Sequence, residues 1–184
     1  MPEFYPPYLG AAYYPEDWPL AQIDQDVALM KEAGCNVMRI AEFAWSRMES
    51  EEGRYDFDWL HTVVDKLGAA GIATIMCTPT CTPPQWLTDR YPEILFVRLD
   101  PAGPMKHGGR RHACPNSPVY RAHCKRIVTK MAEEFGQDNR IIVVEHENRP
   151  ATLALPGKMT DLITRKVHTG TVALKPYAVM VLSA

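Results

Sequence analysis

Charged and aromatic side chains gather at the end of a short apolar run near the start of the sequence. Residues 35–40 (CNVMRI) predict a buried strand. Arg39 lies at the end of this run, and Glu42, Phe43 and Trp45 follow it. Carboxylates and guanidinium groups hydrogen-bond hydroxyl groups, and flat rings stack on pyranose rings, so this mixture is typical of a sugar site. A strand end closed by an ordinary ion pair and core aromatics would have the same spacing, and that alternative stays open.

Alternating strands and helices are predicted to position these side chains. Continuous apolar segments indicate strands buried on both faces, and apolar residues at helical spacing indicate helices. The predicted strands are residues 8–14, 35–40, 72–77 and a fourth that opens at 141, and the predicted helices are residues 20–33, 58–69 and 119–135. Gly34, Gly71 and Gly136 are expected to end the helices, and Asp58 is the expected N-cap of the second helix.

A proline-rich connection separates the third predicted strand from the third predicted helix. It runs from Thr78 to about Ser117. Because proline lacks an N–H group and has a fixed φ, this segment predicts neither helix nor interior strand. A connection of this length is uncommon unless it is functional.

The order of the elements predicts an α/β fold, either the start of a (β/α)₈ barrel or a doubly wound sheet. No glycine-rich phosphate-binding motif follows a predicted strand, so nucleotide binding has no support. After Glu145 the pattern changes to short alternating segments, which predict an antiparallel meander. The expected domains are residues 1–142, the α/β part, and residues 143–184, a β tail.

Composition and charge argue against several classes of function. The chain has 184 residues and a formal net charge of −2, with no block of Lys or Arg, so nucleic-acid binding has little support. No apolar run approaches the roughly 20 residues of a membrane helix. The first residues lack the features of a signal peptide, so a cytoplasmic protein without a membrane partner is expected. The five cysteines are odd in number and scattered, which argues against a disulfide framework.

Five motifs, in order along the chain, resemble the glycoside hydrolase family 42 β-galactosidases. They are residues 13–18 (YYPEDW), 37–45 (VMRIAEFAW), 53–60 (GRYDFDWL), 80–87 (TCTPPQWL) and 109–117 (GRRHACPNS). The resemblance implies a partial (β/α)₈ TIM barrel of about the first three to four βα units. The short antiparallel tail resembles the end of the family's C-terminal β-domain, and the middle of the family's chain is expected to be missing.

The resemblance also implies hydrolysis of terminal, non-reducing β-D-galactose residues with retention. That reaction takes two carboxyl groups about 5–5.5 Å apart, one as acid/base and one as nucleophile. The family's fourth strand ends in Asn-Glu; Asn148 matches the Asn, but Arg149 stands at the position of the acid. Arginine does not give up its proton near neutral pH. The strand of the nucleophile is expected to be missing, so no catalytic residue is assigned. Glu147 is a possible substitute acid, but it does not fall at the strand position of the family's acid.

By resemblance, Arg110 and Asn148 are expected to bind the hydroxyl groups of galactose. Arg39 is expected to lie beside them in the same pocket. The alternative for Arg39 is a structural ion pair with Glu42 or Glu16.

Cys114 resembles the first cysteine of a zinc site that many family members have. Structural zinc takes four ligands, and the other three cysteines of that site are missing, so an unmetallated thiol is the alternative. His107 and His112 are possible replacement ligands. Three tryptophans are candidates for the sugar site, with core packing as the alternative for each: Trp18, Trp45 and Trp86.

These features predict a family member with little or no hydrolytic activity alone. A non-catalytic galactoside-binding or interaction module is one alternative, and a non-functional truncated product is another. A half barrel leaves two open sheet edges. Pairing of the tail onto an edge, a homo-oligomer or poor stability is the expected consequence.

Overall fold

A computed structural model describes residues 7–98, 103–144, 151–154, 159–161, 167–174 and 182–183. The chain divides into two compact units, Met1–Val144 and Glu145–Ala184. The first unit carries the residues on which the candidate site depends. Asn148 lies outside the described residues.

A four-stranded parallel sheet organises the first unit. The strands of this unit are β1 (Gly10–Ala12), β2 (Val37–Ile40), β3 (Glu49–Glu51), β4 (Arg54–Tyr55), β5 (Ala73–Met76) and β6 (Ile141–Val144). The helices are α1 (Ile23–Glu32), α2 (Trp45–Met48), α3 (Asp58–Ala69), α4 (Gln85–Arg90) and α5 (Pro118–Phe135). The order in the sheet is β1-β2-β5-β6, and all neighbours are parallel. This arrangement confirms the predicted α/β class.

The register of the sheet decides which side chains enter the core. Arg39 of β2 is opposite Ala12 of β1 and Ile75 of β5. Successive strand residues face opposite sides, and Met38 and Ile40 belong to the buried core cluster. Arg39 therefore lies on the other face of the sheet, at the end of its strand, which is where a parallel α/β barrel keeps its functional groups.

The core forms between this sheet and the long helices. The apolar residues of α3 and α5 that pack here are fully or almost fully buried: Leu60, Val63, Val64, Leu67, Ile127 and Met131. Their helical spacing was visible in the sequence, and the bounds of α3 agree with the predicted residues 58–69. Ser117 caps α5, since its hydroxyl oxygen accepts a hydrogen bond from the Tyr120 N–H at 3.3 Å.

A buried carboxylate, that of Glu49, ties together helix α5 and three short elements that the sequence pattern did not predict. Its two oxygens accept hydrogen bonds from Trp45 Nε1 (2.8 Å), the Gly53 N–H (2.8 Å) and Arg126 Nη2 (2.7 Å). Its backbone carbonyl accepts a fourth from Trp86 Nε1 at 2.8 Å. Short helix α2, the β3–β4 hairpin and α5 thus converge on one charge, which would be very costly to bury without such partners, and α4 contacts the backbone of the same residue.

Two local predictions were wrong. The proline-rich connection contains helix α4, which begins directly after Pro84; the fixed φ of proline is compatible with the position before a first helical turn. Asp58 is not the N-cap of α3, because Phe57 occupies that position. The Asp58 N–H instead donates to Asp56 Oδ1 at 3.1 Å.

The second unit contains short antiparallel pairs. Its described strands are β7 (Ala151–Ala154), β8 (Met159–Asp161), β9 (Val167–His168), β10 (Thr171–Leu174) and β11 (Leu182–Ser183). The antiparallel character agrees with the prediction. The simple meander was wrong, because β7 pairs with β10, and β8 pairs with both β9 and β11. The boundary expected at residues 142–143, and the resemblance of the tail to a C-terminal domain, stay predictions.

Gly10 offers a test of how closely β1 and β2 approach each other. A Cβ atom at Gly10 would lie 1.7 Å from the Val37 carbonyl oxygen, whereas one at Gly109 would meet nothing closer than Met105 Cε at 3.7 Å. We therefore expect Gly10→Ala to lower the free energy of unfolding by about 1–3 kcal/mol, the usual cost of overpacking. Gly109→Ala is the matched control and should be nearly neutral. Urea unfolding measures both, and equal effects would contradict the packing.

Candidate functional site

Three segments meet at the carboxyl end of the parallel sheet. Residues 41–43 follow β2, Cys81 ends a 3₁₀ turn that follows β5, and residues 110–111 belong to the long connection before α5. The segments are joined by hydrogen bonds through Cys81 and by an ion pair between Glu42 and Arg110. We call this group of residues the rim cluster: Arg39, Glu42, Phe43, Cys81, Arg110 and Arg111.

The carboxylate of Glu42 is the centre of the rim cluster. Glu42 is only 7% exposed. Its Oε2 accepts a hydrogen bond from Arg39 Nη1 at 2.6 Å, and its Oε1 accepts one from Arg110 Nη2. A buried carboxylate is stable only when its charge is paired and its oxygens are hydrogen-bonded. The two guanidinium groups meet both requirements, one on each oxygen.

The backbone turns sharply just before Glu42. Ala41 has a φ of 72°, in the left-handed region, and is fully buried. Such a conformation costs a non-glycine residue of order 1 kcal/mol, so it persists only where the surrounding structure imposes it. The turn ends β2, and Glu42 and Phe43 follow it.

An aromatic pair supports the cationic side of the cluster. Phe43 stacks on Tyr14 with ring centroids 5.3 Å apart, and the Arg110 guanidinium carbon lies 5.6 Å from the centroid of Phe43. A guanidinium at this distance is attracted to the face of an aromatic ring. Arg110 is therefore held both by Glu42 and by Phe43, while its side chain remains 58% exposed.

Glu16, in the loop after β1, carries a second buried carboxylate near the rim. Both of its oxygens are buried, and neither has a partner within hydrogen-bonding geometry among the described residues. Burial raises the pKa of Glu16, and the charge of Asp17 adds to the increase; the backbone N–H groups of Glu16 and Phe43 and the Arg47 guanidinium oppose it. Arg47 also holds this loop, because its Nη1 donates to the Pro15 and Glu16 carbonyl oxygens at 3.2 and 2.9 Å.

The structure brings together two of the three residues expected to bind sugar. Arg39 and Arg110 both contact Glu42, so the ion pair that was the alternative for Arg39 is present. Asn148 lies outside the described residues, and its role stays a prediction. The sequence pattern placed Glu42 at a strand end but did not identify it as the centre of the site. Its pairing with Arg39, three residues before it, was the available signal.

Within the part of the chain that the structure describes, Cys114 does not lie in a group that could hold a metal ion. Its N–H donates to the Ile94 carbonyl at 2.7 Å, and its carbonyl accepts from the Ser117 N–H at 3.0 Å. No group of three or more His, Cys, Asp or Glu side chains within the described segments could hold a metal ion. No step of the chemistry is therefore assigned to a metal, and the zinc site that the resemblance implied stays a prediction.

The two histidines considered as replacement ligands have protein partners. His107 Nδ1 lies 3.0 Å from the Thr88 hydroxyl oxygen, and His112 Nδ1 is hydrogen-bonded to the Gly109 carbonyl. Their rings contact each other with centroids 4.9 Å apart. Burial lowers the pKa of His107, and the neighbouring His112 lowers it further. His107 is exposed, whereas His112 is buried and its Nε2 has no hydrogen-bond partner among the described residues.

The three candidate tryptophans differ in exposure. Trp45 is fully buried and Trp86 is half-buried, and the indole N–H of each is bonded to Glu49, so both have structural roles. Trp18 is 52% exposed in the loop after β1. Of these three, Trp18 alone presents a large aromatic surface to solvent.

The fold and the rim cluster together define a class of protein. A parallel sheet backed by helices, with arginines, a carboxylate and aromatics at its carboxyl edge, is the organisation of part of an α/β barrel. Comparison with known proteins gives the family: the model of glycoside hydrolase family 42, described as β-galactosidase, matches residues 12–155. The chain belongs to this family.

Relatives and solved structures agree with this assignment. The chain is 50% identical to a β-galactosidase of Thermus thermophilus over 128 residues, which are 70% of this chain and 20% of that protein. It is 46% identical to a β-galactosidase of Bacillus subtilis over 130 residues, 71% of this chain and 20% of that protein. The chain thus spans about a fifth of the length of these curated relatives.

The structural neighbours include a β-galactosidase from Bacillus circulans, with a TM-score of 0.72 and 32% identity over 77% of this chain and 21% of that one. A β-galactosidase from a psychrophilic Marinomonas has a TM-score of 0.70 and 38% identity, over 77% of this chain and 22% of that one. The partial α/β barrel predicted from the motifs is therefore confirmed. In the described segments, no helix has the length and apolar character needed to cross a membrane.

Removal of the buried carboxylate of Glu16 should increase the free energy of unfolding by an amount that depends on pH. Because its pKa is raised in the folded state, the fold binds this proton more tightly than the unfolded chain does, and the contribution of Glu16 to stability falls as pH rises above the unfolded value of about 4.3. Glu16→Gln should therefore gain about 1 kcal/mol over the wild type between pH 4 and pH 7, the order of the cost of an unsatisfied buried group.

The exposed glutamate Glu93, in the turn after α4, provides the control for this prediction. Urea unfolding at pH 4 and pH 7 should show the gain for Glu16→Gln and not for Glu93→Gln. A Glu16→Gln variant whose advantage is the same at both pH values would contradict the assignment.

Proposed function

We propose that this chain supplies part of the galactose-binding rim of a retaining β-galactosidase, which acts on terminal, non-reducing β-D-galactose residues. The observation that carries the proposal is the pairing of buried Glu42 with Arg39 and Arg110 at the carboxyl edge of the sheet. The ligand class comes from the family, whose curated members are named β-galactosidases.

The rim cluster has the groups that a galactose unit requires. A guanidinium has five N–H donors in a planar fork, and the hydrogen bond to Glu42 uses one nitrogen of Arg110. Because this side chain is 58% exposed, its outer donors can reach sugar hydroxyl groups. Glu42 and Phe43 restrain the guanidinium before the sugar arrives, which reduces the entropy lost on binding.

Hydrolysis needs more than this cluster provides. A retaining glycosidase uses two carboxyl groups about 5–5.5 Å apart, one of them as a nucleophile. Both oxygens of Glu42 are occupied by guanidinium groups, and both oxygens of Glu16 are buried. Arg149 stands where the family's acid is expected. We therefore propose that the chain alone binds galactosides and hydrolyses them little or not at all, so that it behaves as a binding module.

Removal of Arg110 should weaken galactose binding. Arg110→Ala deletes the exposed donors, and charge-assisted hydrogen bonds of this kind contribute about 1.5–3 kcal/mol, so the dissociation constant should rise about tenfold or more. Arg121→Ala, which deletes an exposed arginine on α5, is the matched control and should bind as the wild type does. Calorimetric titration up to tens of millimolar galactose measures all three proteins. A wild type that shows no heat over this range would contradict the binding proposal.

The chain alone should not turn over a chromogenic β-galactoside. At high protein concentration we expect release of the chromophore at the rate of the blank, because the carboxyl pair is incomplete. Glu147→Gln serves as the diagnostic variant. Robust turnover by the wild type that disappears in Glu147→Gln would contradict the proposal and identify Glu147 as the acid.

A further inference from the structure

Cys81 joins the two main-chain segments whose side chains form the central ion pair. Its thiol donates to the Glu42 carbonyl oxygen at 3.2 Å. Its own carbonyl oxygen accepts a hydrogen bond from the Arg111 N–H at 2.8 Å. The Arg111 N–H belongs to the peptide group that also contains the Arg110 carbonyl. One residue therefore fixes the backbone beside both Glu42 and Arg110.

The backbone conformation of Arg111 makes this contact specific. Arg111 has a φ of 57°, in the left-handed region that non-glycine residues rarely adopt. Such a conformation needs a partner that holds it. The bond from its N–H to Cys81 is such a partner, and it directs the chain so that the Arg110 side chain lies over Phe43 and against Glu42.

The environment of the thiol keeps it in the donor form. Burial raises the pKa of Cys81, and the negative charge of Glu42 raises it further, while Arg110 lowers it. A protonated thiol is a weak hydrogen-bond donor, and a thiolate would donate nothing. At neutral pH the thiol thus retains the proton that it shares with the Glu42 carbonyl.

We propose that Cys81 is a positioning residue, which sets the geometry of Arg110 relative to Glu42 through its two hydrogen bonds and thereby strengthens galactose binding. The positioning itself follows from the hydrogen bonds, and the effect on galactose rests on the proposed function. Cys81 does not contact the sugar; it acts through Arg110.

Amide hydrogen exchange without ligand tests the positioning directly. Cys81→Ala removes the thiol donor, so the 79–81 turn loses its hydrogen bond to the Glu42 carbonyl after β2. The Cys81 carbonyl that accepts from Arg111 is then held less firmly, and exchange of the Arg111 N–H should become about tenfold faster. Cys81→Ser retains a donor and should restore most of the protection. Cys35→Ala deletes the same atoms from a half-buried cysteine just before the amino end of β2 and should leave Arg111 unchanged. Unaltered exchange at Arg111 in Cys81→Ala would overturn the proposal.

Galactose titration of the same variants tests the consequence. The dissociation constant should rise about fivefold to tenfold in Cys81→Ala, return to within about twofold of the wild type in Cys81→Ser, and not change in Cys35→Ala. Faster exchange in Cys81→Ala with unchanged galactose affinity would reduce Cys81 to a structural residue and overturn the proposal. If the wild type itself binds no galactose, the proposed function fails, whereas the exchange result still decides whether Cys81 positions Arg110.

Discussion

A negative charge that is almost entirely removed from water determines which residues must come together at the edge of the sheet. Glu42 lies at the end of a buried strand, where an isolated carboxylate would be very costly. Two guanidinium groups, from Arg39 and Arg110, compensate that charge and cover both oxygens. Because Arg110 is 68 residues away in the chain, this compensation requires the proline-rich connection to fold back over the sheet edge. The same requirement places an exposed arginine at the position where a parallel α/β barrel binds its ligand.

The remaining contacts restrict how that connection can fold. The Arg110 guanidinium lies over Phe43, which stacks on Tyr14, and Cys81 fixes the backbone on either side of the ion pair. Further from the rim, Glu49 binds groups from α2, the β3–β4 hairpin and α5, so that the helices beneath the site are held by a second buried charge. These contacts restrain the Arg110 side chain without a ligand, and a restrained group loses less entropy when it binds one.

The sequence allowed much of this fold to be predicted, because the long elements have strong periodicity. Helix α3 and the four parallel strands were predicted from apolar spacing alone. Helix α4 was missed because prolines dominate its neighbourhood, although a proline directly before a first turn is compatible with a helix. The β3–β4 hairpin is only a few residues long, too short for periodicity to show.

The candidate site was only partly predictable. The family motifs identified Arg110, and the strand end identified Arg39, but no spacing rule joins Glu42 to a residue as distant as Arg110. The role of Cys81 depends on a thiol and a backbone carbonyl that meet two different segments, and side-chain type alone does not encode such a contact. Asn148, assigned by the same motif reasoning, lies outside the described residues.

A double-mutant cycle on galactose affinity can decide whether Glu42 acts on the proposed ligand by holding Arg110. The cycle combines Glu42→Gln with Arg110→Ala and measures the dissociation constant of each single variant and of the double variant by calorimetry. If Glu42 acts through Arg110, the loss in the double variant will be much smaller than the sum of the two single losses. Losses that simply add would show that the two side chains act independently, and would contradict the account.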